Sequence, residues 1–332
     1  MTPENLTFSS QGTTCAAWHF PATDDGLTTA TGRPVVVMAH GLGGTKDSGL
    51  APFAEAFAAA GLDAFVFDYR GFGESEGAPR QTVSLPGQLE DWRAAIAAAG
   101  RLPGVDPQRI VLWGESLAGG HVLSAAADRT DIAAVVSVVP MVDGIAAGLH
   151  ATKSHSAREL LKATGLGIAS KISEARGRGA SMIPIVARPG EVGALTVAGA
   201  LEDMLSIAGP TWRNEIAAHV TLELGTRAPA KAASRIKAPV LVQICDFDQS
   251  SPPHAAAKAA FAAQAEVRHY PGDHFDTFPG KPFHEPAVKH AVSFLTRKLG
   301  AEVTTSRQAR RPEGSAVELV ETSAPTQGAH RG

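Results

Sequence analysis

The sequence predicts a mostly parallel, doubly wound α/β sheet interrupted once by a helical insertion. Three observations point there. A continuous apolar run at residues 35–38 has similar, mostly apolar counterparts at 64–67, 109–113, 135–139 and 240–244. Runs without polar alternation suit strands covered on both faces, as in a parallel sheet. Ala-rich stretches with helical spacing separate several of them, and strand–helix alternation is the mark of doubly wound folds. Finally, the alternation stops after Pro140 and resumes only at residue 240.

Taken in order, residues 6–20 alternate well enough for one or two strands, ending at Phe20-Pro21. A helix over 51–60 ends at Gly61 and another over 89–99 ends at Gly100, glycine being a common residue just past a helix end. Residues 141–237 carry helix-like patches at 157–164, 195–208 and 212–219 and a Pro-containing stretch at 183–190. This segment is expected to form a mostly helical cap over the sheet. Residues 1–140 and 238–299 then make one core, closed by a helix at 286–299. From Gly300 the chain is polar and rich in Thr, Ser, Pro and Gly, so 300–332 is expected to be a disordered tail.

Hydrophobic residues are 44% of the 332 and charged residues 19%, enough for a substantial core. The net charge of −3 and the lack of a long Lys/Arg run argue against nucleic acid. No stretch reaches the roughly 20 apolar residues that span a bilayer. Residues 1–20 lack a basic segment followed by an apolar one, so no signal peptide and a cytoplasmic location are expected. Two cysteines, Cys15 and Cys245, are no disulfide framework and read as buried small apolar residues. No compact His/Cys/Asp/Glu spacing suggests a metal, and no Gly-x-x-x-x-Gly-Lys-Ser/Thr loop suggests a nucleotide. Neither metal nor cofactor is expected, and the partner expected is a small molecule rather than nucleic acid or membrane.

Chemistry concentrates in Ile110-Val111-Leu112-Trp113-Gly114-Glu115-Ser116-Leu117-Ala118-Gly119-Gly120. An apolar strand runs into Gly114, then Ser116, then small residues that open a helix. That is the setting of a nucleophile elbow. The sharp turn needs small neighbours two residues either side of the Ser; Gly114 meets this, and Ala118 stands where Gly is usual. The helix N-terminus offers N–H groups to developing negative charge. The Leu117 N–H is one expected oxyanion donor. The other is the Leu42 N–H, in the loop His40-Gly41-Leu42-Gly43-Gly44 after the strand at 35–38. His40 is expected to orient that loop.

An activated Ser needs a base and a carboxylate that orients the base, in the chain order Ser, acid, His. The strand at 240–244 leads into Cys245-Asp246-Phe247-Asp248, so Asp246 and Asp248 both lie at its carboxyl end. Asp248 is preferred for its place a few residues before Pro252, and Asp143 is a third candidate. Among twelve histidines, His274 follows a last strand at 266–270 and lies downstream of the acid. His269 falls within that strand and reads as structural, and His254 as the start of a helix.

These segments, with Phe67-Asp68-Tyr69-Arg70-Gly71-Phe72-Gly73-Glu74-Ser75, resemble the α/β-hydrolases, closest to the dienelactone-hydrolase-like and serine-aminopeptidase-like branches. Trp113-Gly114-Glu115-Ser116 with Gly119-Gly120-His121-Val122 also resembles a subgroup containing polyketide acyl transferases. The resemblance covers roughly 30–140 and 238–298. It implies an α/β-hydrolase fold with a cap, a triad of Ser116, Asp248 and His274, and no metal or cofactor. Dienelactone hydrolases proper use Cys where this chain has Ser116. Hydrolysis of an ester or thioester through an acyl-enzyme is the expected activity. Acyl transfer from the same intermediate, peptide or amide cleavage, and a catalytically dead binding fold are the alternatives.

Overall fold

A computed structural model describes residues 1–309 of the chain, with side chains through residue 300. The first strands, β1 (Glu4–Ser10) and β2 (Thr13–Phe20), form a hairpin whose inward residues alternate with exposed ones. Then come β3 (Arg33–Ala39), helix α1 (Ala51–Ala59), β4 (Asp63–Phe67), α2 (Leu85–Ala99), β5 (Val105–Glu115), α3 (Ser116–Ala126) and β6 (Ile132–Val138). After the insertion the core resumes with β9 (Val240–Cys245), α9 (Pro253–Ala262), β10 (Glu266–Tyr270) and α10 (His284–Ala309).

The eight core strands lie in one sheet in the order β1-β2-β4-β3-β5-β6-β9-β10. The β1–β2 and β2–β4 pairs are antiparallel; every pair from β4 to β10 is parallel. Residues 35–39 of β3 are entirely buried, as expected for a central strand with helices on both faces. Helix α1 packs with α10, while α2 meets α3, and a short helix at the end of the insertion, α8 (Ala230–Ala233), bridges α3 to α9. This is the α/β-hydrolase arrangement, and it brings the carboxyl ends of β3, β5, β6 and β9 together at one edge.

The insertion between β6 and β9 contains α4 (Gly144–Ala151), α5 (Ala157–Ala175), the short pair β7 (Met182–Ile183) and β8 (Ile216–Ala217), α6 (Ala200–Ile207), α7 (Val220–Gly225) and α8 (Ala230–Ala233). Two expected helices are shorter or absent. Residues 195–199 stay out of the helix: the Leu195 N–H donates to Ile185 and its carbonyl accepts from the Ala187 N–H, and the chain then turns through Gly199 at a left-handed φ of 83° before α6 begins. Residues 212–219 are not helical. The Asn214 amide spans both backbone groups of Val186, and the Ala217 N–H donates to the Gln81 carbonyl. Outside partners thus take the polar groups a helix would satisfy internally. The final helix also runs to Ala309, past the expected start of the tail at 300, and residues 310–332 lie outside the described residues. No helix among the described residues is long and apolar enough to cross a membrane.

Close backbone approach governs the junction of β5, α3 and β6. A methyl group on Gly120 would lie 2.2 Å from the Met141 carbonyl oxygen, whereas one on Gly165, mid-α5, meets nothing within 4 Å. Gly120→Ala is therefore expected to destabilise the protein by about 1–3 kcal/mol. Gly165→Ala should be neutral or stabilising by up to about 1 kcal/mol, since Ala is the better helix former. Urea unfolding of both variants checks the contrast.

Candidate active site

Ser116 sits where β5 turns into α3, with a left-handed φ of 53°. A non-glycine residue held there costs on the order of 1–3 kcal/mol, sustained by surrounding structure. The turn is as tight as its sequence suggests: a methyl group on Gly114 would lie 2.4 Å from the Ala118 carbonyl oxygen and 3.0 Å from the Ala118 Cβ. The bare Gly114 leaves room for the Ala118 methyl, which is fully buried. This explains how the elbow accepts Ala where Gly is usual.

His274 lies on the loop after β10. Its Nε2 is 3.0 Å from Ser116 Oγ, and its Nδ1 is 2.7 Å from Asp248 Oδ2. All three residues are nearly buried, with Ser116 the most exposed at 9%. Asp248 Oδ1 accepts from the Ser250 and Ser251 N–H groups at 2.8 and 2.6 Å, which leaves Oδ2 for the imidazole. Asp273 ties the two loops, accepting from the N–H groups of Gln249 at 2.9 Å and His274 at 2.7 Å. Burial alone pulls the His274 pKa down, but the facing Asp248 carboxylate, its hydrogen bond and the nearby Glu115 and Asp273 outweigh that and lift it to about 9.

The rival acids stand elsewhere. Asp246 pairs at 2.6 Å with His269, which is half exposed on the outer strand. Asp143 accepts from the Ile145 and Ala146 N–H groups and caps α4. His254 lies in the first turn of α9. The geometry brings Asp248 to His274 and neither of the other two.

The loop 40–44 passes beside the elbow. His40, buried, donates from Nδ1 to the Gly41 carbonyl at 2.9 Å. Leu42 and Leu117 both border Ser116 in a cavity of about 430 Å³. Leu117 lies in the first turn of α3, where N–H groups have no intrahelical acceptor. The remaining walls come mainly from the insertion, among them Ala147, Leu160, Ile183, Val192, Leu195 and Leu224, with His155, Glu159 and Lys162 as polar members. A cavity of this size, mostly apolar with a few polar groups, is typical of small-molecule sites.

Three features escaped sequence reasoning. Helix α4 was unexpected, yet it supplies Ala147 to the wall, and its His150 donates to the Asp248 carbonyl at 2.9 Å. His121, on α3, bridges Gln88 and Arg227, which joins the insertion to the core. Glu115 is a buried carboxyl beside Ser116. Its signal was present, a charge inside an apolar strand, but nothing in the sequence named its partner.

Comparison with known proteins agrees with this architecture. A family model for the alpha/beta hydrolase fold matches residues 34–281. The quorum-quenching protein AidA of Acinetobacter baumannii is 38% identical over 298 residues, 89% of this chain and 95% of that protein. The polyketide transferase ATR5 of Stachybotrys chlorohalonatus is 36% identical over 146 residues, 44% of this chain and 47% of that protein. The crystal structure of the alpha/beta hydrolase GrgF from Penicillium sp. sh18 superposes with a TM-score of 0.73 at 22% identity, covering 90% of this chain and 99% of that one. The chain belongs to the α/β-hydrolase family.

Proposed function

We propose that the protein is a serine hydrolase that cleaves an ester or thioester of a small aliphatic acyl group. The carrying observation is the continuous hydrogen-bonded line from Ser116 Oγ through His274 to Asp248, ending at the floor of an apolar cavity. His274 Nε2 takes the Ser116 proton as Oγ attacks the carbonyl carbon. The carbonyl electron pair moves to oxygen, where the Leu42 and Leu117 N–H groups stabilise it. The intermediate collapses, His274 gives its proton to the leaving alcohol or thiol, and an acyl-enzyme remains. Water, losing a proton to His274, attacks in turn; the acyl–Oγ bond breaks, His274 returns the proton to Ser116 Oγ, and the acid leaves. Asp248 holds the Nδ1–H tautomer and stabilises the charged imidazole.

Transfer of the acyl group to an alcohol or amine is the second reading, favoured by the similarity to a polyketide transferase. It uses the same acyl-enzyme and differs only in the last acceptor. Similarity to a quorum-quenching protein makes quorum quenching the first biological role to try.

Ser116→Ala is expected to lower p-nitrophenyl ester hydrolysis by at least about 10⁴-fold and to abolish labelling by a fluorophosphonate; native activity in that variant rejects the triad. The base must be neutral to accept the Ser116 proton, and the His274 pKa is raised. Thus kcat/KM should climb with pH through a limb above neutrality. Asp248→Asn should move that limb down and cost on the order of 10⁴-fold in kcat.

The cavity makes a third expectation. Each methylene buried contributes about 0.8 kcal/mol, so kcat/KM should rise about fourfold per added acyl carbon until the cavity is full. Ala147→Phe, which fills one wall, should shorten the preferred chain while leaving acetate ester hydrolysis nearly unchanged. A chain-length series of p-nitrophenyl esters reads both.

A further inference from the structure

The mechanism above leaves one buried titratable group beside the nucleophile unused. Glu115 is 7% exposed and occupies the position immediately before Ser116. Its Oε1 accepts from the Gly41 N–H at 2.5 Å, a bond reaching across 74 residues of sequence to the loop after β3. Burial raises its pKa to about 7; the nearby His274 and the Gly41 N–H pull it down, and Asp248 pushes it up.

Gly41 is gripped on both sides. Its N–H goes to Glu115, and its carbonyl accepts from His40 Nδ1 at 2.9 Å. In a trans peptide the carbonyl of one residue and the N–H of the next share a plane and point in opposite directions. The hold on the Gly41 carbonyl therefore sets which way the Leu42 N–H points. Without the grip on the Gly41 N–H, the residue would keep one anchor and could swing about it. The contact is close by construction: a methyl group on Gly41 would lie 2.6 Å from Glu115 Oε1 and 2.8 Å from Ser116 Cβ. Only a residue without a side chain admits both neighbours. The carboxyl thus joins the strand that carries the nucleophile to the loop that carries an oxyanion donor.

We propose that Glu115 is a positioning residue, which holds the Gly41 N–H and so, together with the His40 contact to the Gly41 carbonyl, keeps the Leu42 N–H facing the oxyanion, and does so as a hydrogen-bond acceptor rather than as a charge. The proposal rests on the serine-hydrolase reading. It differs from a general structural role because an oxyanion donor acts only in the transition state. Losing it lowers kcat and leaves substrate binding little changed.

Two substitutions separate the possibilities. Glu115→Gln keeps the carbonyl oxygen and the length of the side chain but removes the charge. Glu115→Asp keeps the charge but is one methylene too short to reach the Gly41 N–H. The expected result is that Gln retains kcat within a few-fold, while Asp loses on the order of 10²-fold in kcat with KM nearly unchanged, the loss seen when one oxyanion donor is removed. Equal loss in both variants, no loss in Asp, or a loss confined to KM overturns the proposal.

An NMR measurement on the wild-type protein does not depend on how the variants fold. The Gly41 amide should resonate far downfield, resist exchange, and shift as Glu115 titrates. A Gly41 amide that exchanges freely and ignores that titration overturns the proposal. Fluorophosphonate labelling of Ser116 in the wild-type protein tests the serine-hydrolase reading separately. Labelling there with a failed Glu115 prediction rejects the positioning role alone, whereas loss of labelling rejects the mechanism beneath it.

Discussion

Everything at this site depends on how closely three backbones approach around Ser116. The left-handed φ of 53° at Ser116 lifts its hydroxyl off the sheet edge, and the strain is sustained by packing that leaves no space for relaxation. Gly114 lies against the Ala118 carbonyl, Gly119 against the Val138 carbonyl and Gly120 against the Met141 carbonyl. Trp113, fully buried, packs against Phe53 of α1 with ring centroids 4.9 Å apart and planes tilted by 45°, which ties the strand to that helix. The Met141 N–H donates back to the Ser116 carbonyl at 2.9 Å. Ser116, helix α3 and the start of the insertion thus form one rigid corner. In a close-packed interior such a corner cannot shift by a few tenths of an ångström without moving all three segments.

Charge is arranged around that corner with equal economy. Asp248, Glu115 and Asp273 surround a single imidazole, and each oxygen that matters has a stated donor. Asp248 uses two loop N–H groups and His274; Asp273 uses Gln249 and the His274 N–H; Glu115 uses Gly41. Buried carboxyls without such donors would lose far more in desolvation than they gain from the imidazole. The result is a base with a raised pKa beside a carboxyl whose pKa is also raised, two groups titrating on each other's field. A second ionic knot, farther back, stiffens the 40–46 loop. Buried Lys46 pairs with Asp68 at 2.9 Å and with Glu74, and Asp68 also accepts from the Lys46 N–H at 2.6 Å. The Phe67–Ser75 segment noted in the sequence is therefore scaffolding for the 40–46 loop.

The core and the site were legible because their signals are local. A strand buried on both faces writes itself as an apolar run, and an elbow as a Gly-x-Ser between strand and helix, so β3, β5, β9 and Ser116 could be placed from residues alone. His274 was legible through chain order. Asp246 and Asp248 stayed open because the choice turns on which way two residues of one loop point. Only the three-dimensional arrangement decides it: the Asp246 carboxylate turns to the His269 imidazole on β10, and the Asp248 carboxylate turns to His274. The insertion was least legible for the same reason. Its residues 212–219 have helix-like composition, but Asn214 bonds to Val186, 28 residues away. Helix α4 went unseen since Ile145 and Leu149 face outward, and a helix with exposed apolar residues carries no amphipathic pattern.

The division of labour between core and insertion follows from these constraints. The core contributes polar groups whose positions tolerate almost no change, and the insertion contributes apolar wall whose shape can vary without disturbing the chemistry. Most wall residues, such as Ala147, Leu160 and Leu224, contribute area rather than direction, so substitutions there change the shape of the cavity. The two are nonetheless not independent. His150 reaches from the last turn of α4 to the carbonyl of Asp248, and Arg227 reaches from the insertion to buried His121 on α3. A hydrogen bond to the backbone of the acid-bearing loop places the wall and the imidazole in one mechanical unit. Sequence change is therefore expected to be free along the wall and restricted at these two bridges, where loss of a side chain would loosen Asp248 or leave a buried partner unsatisfied.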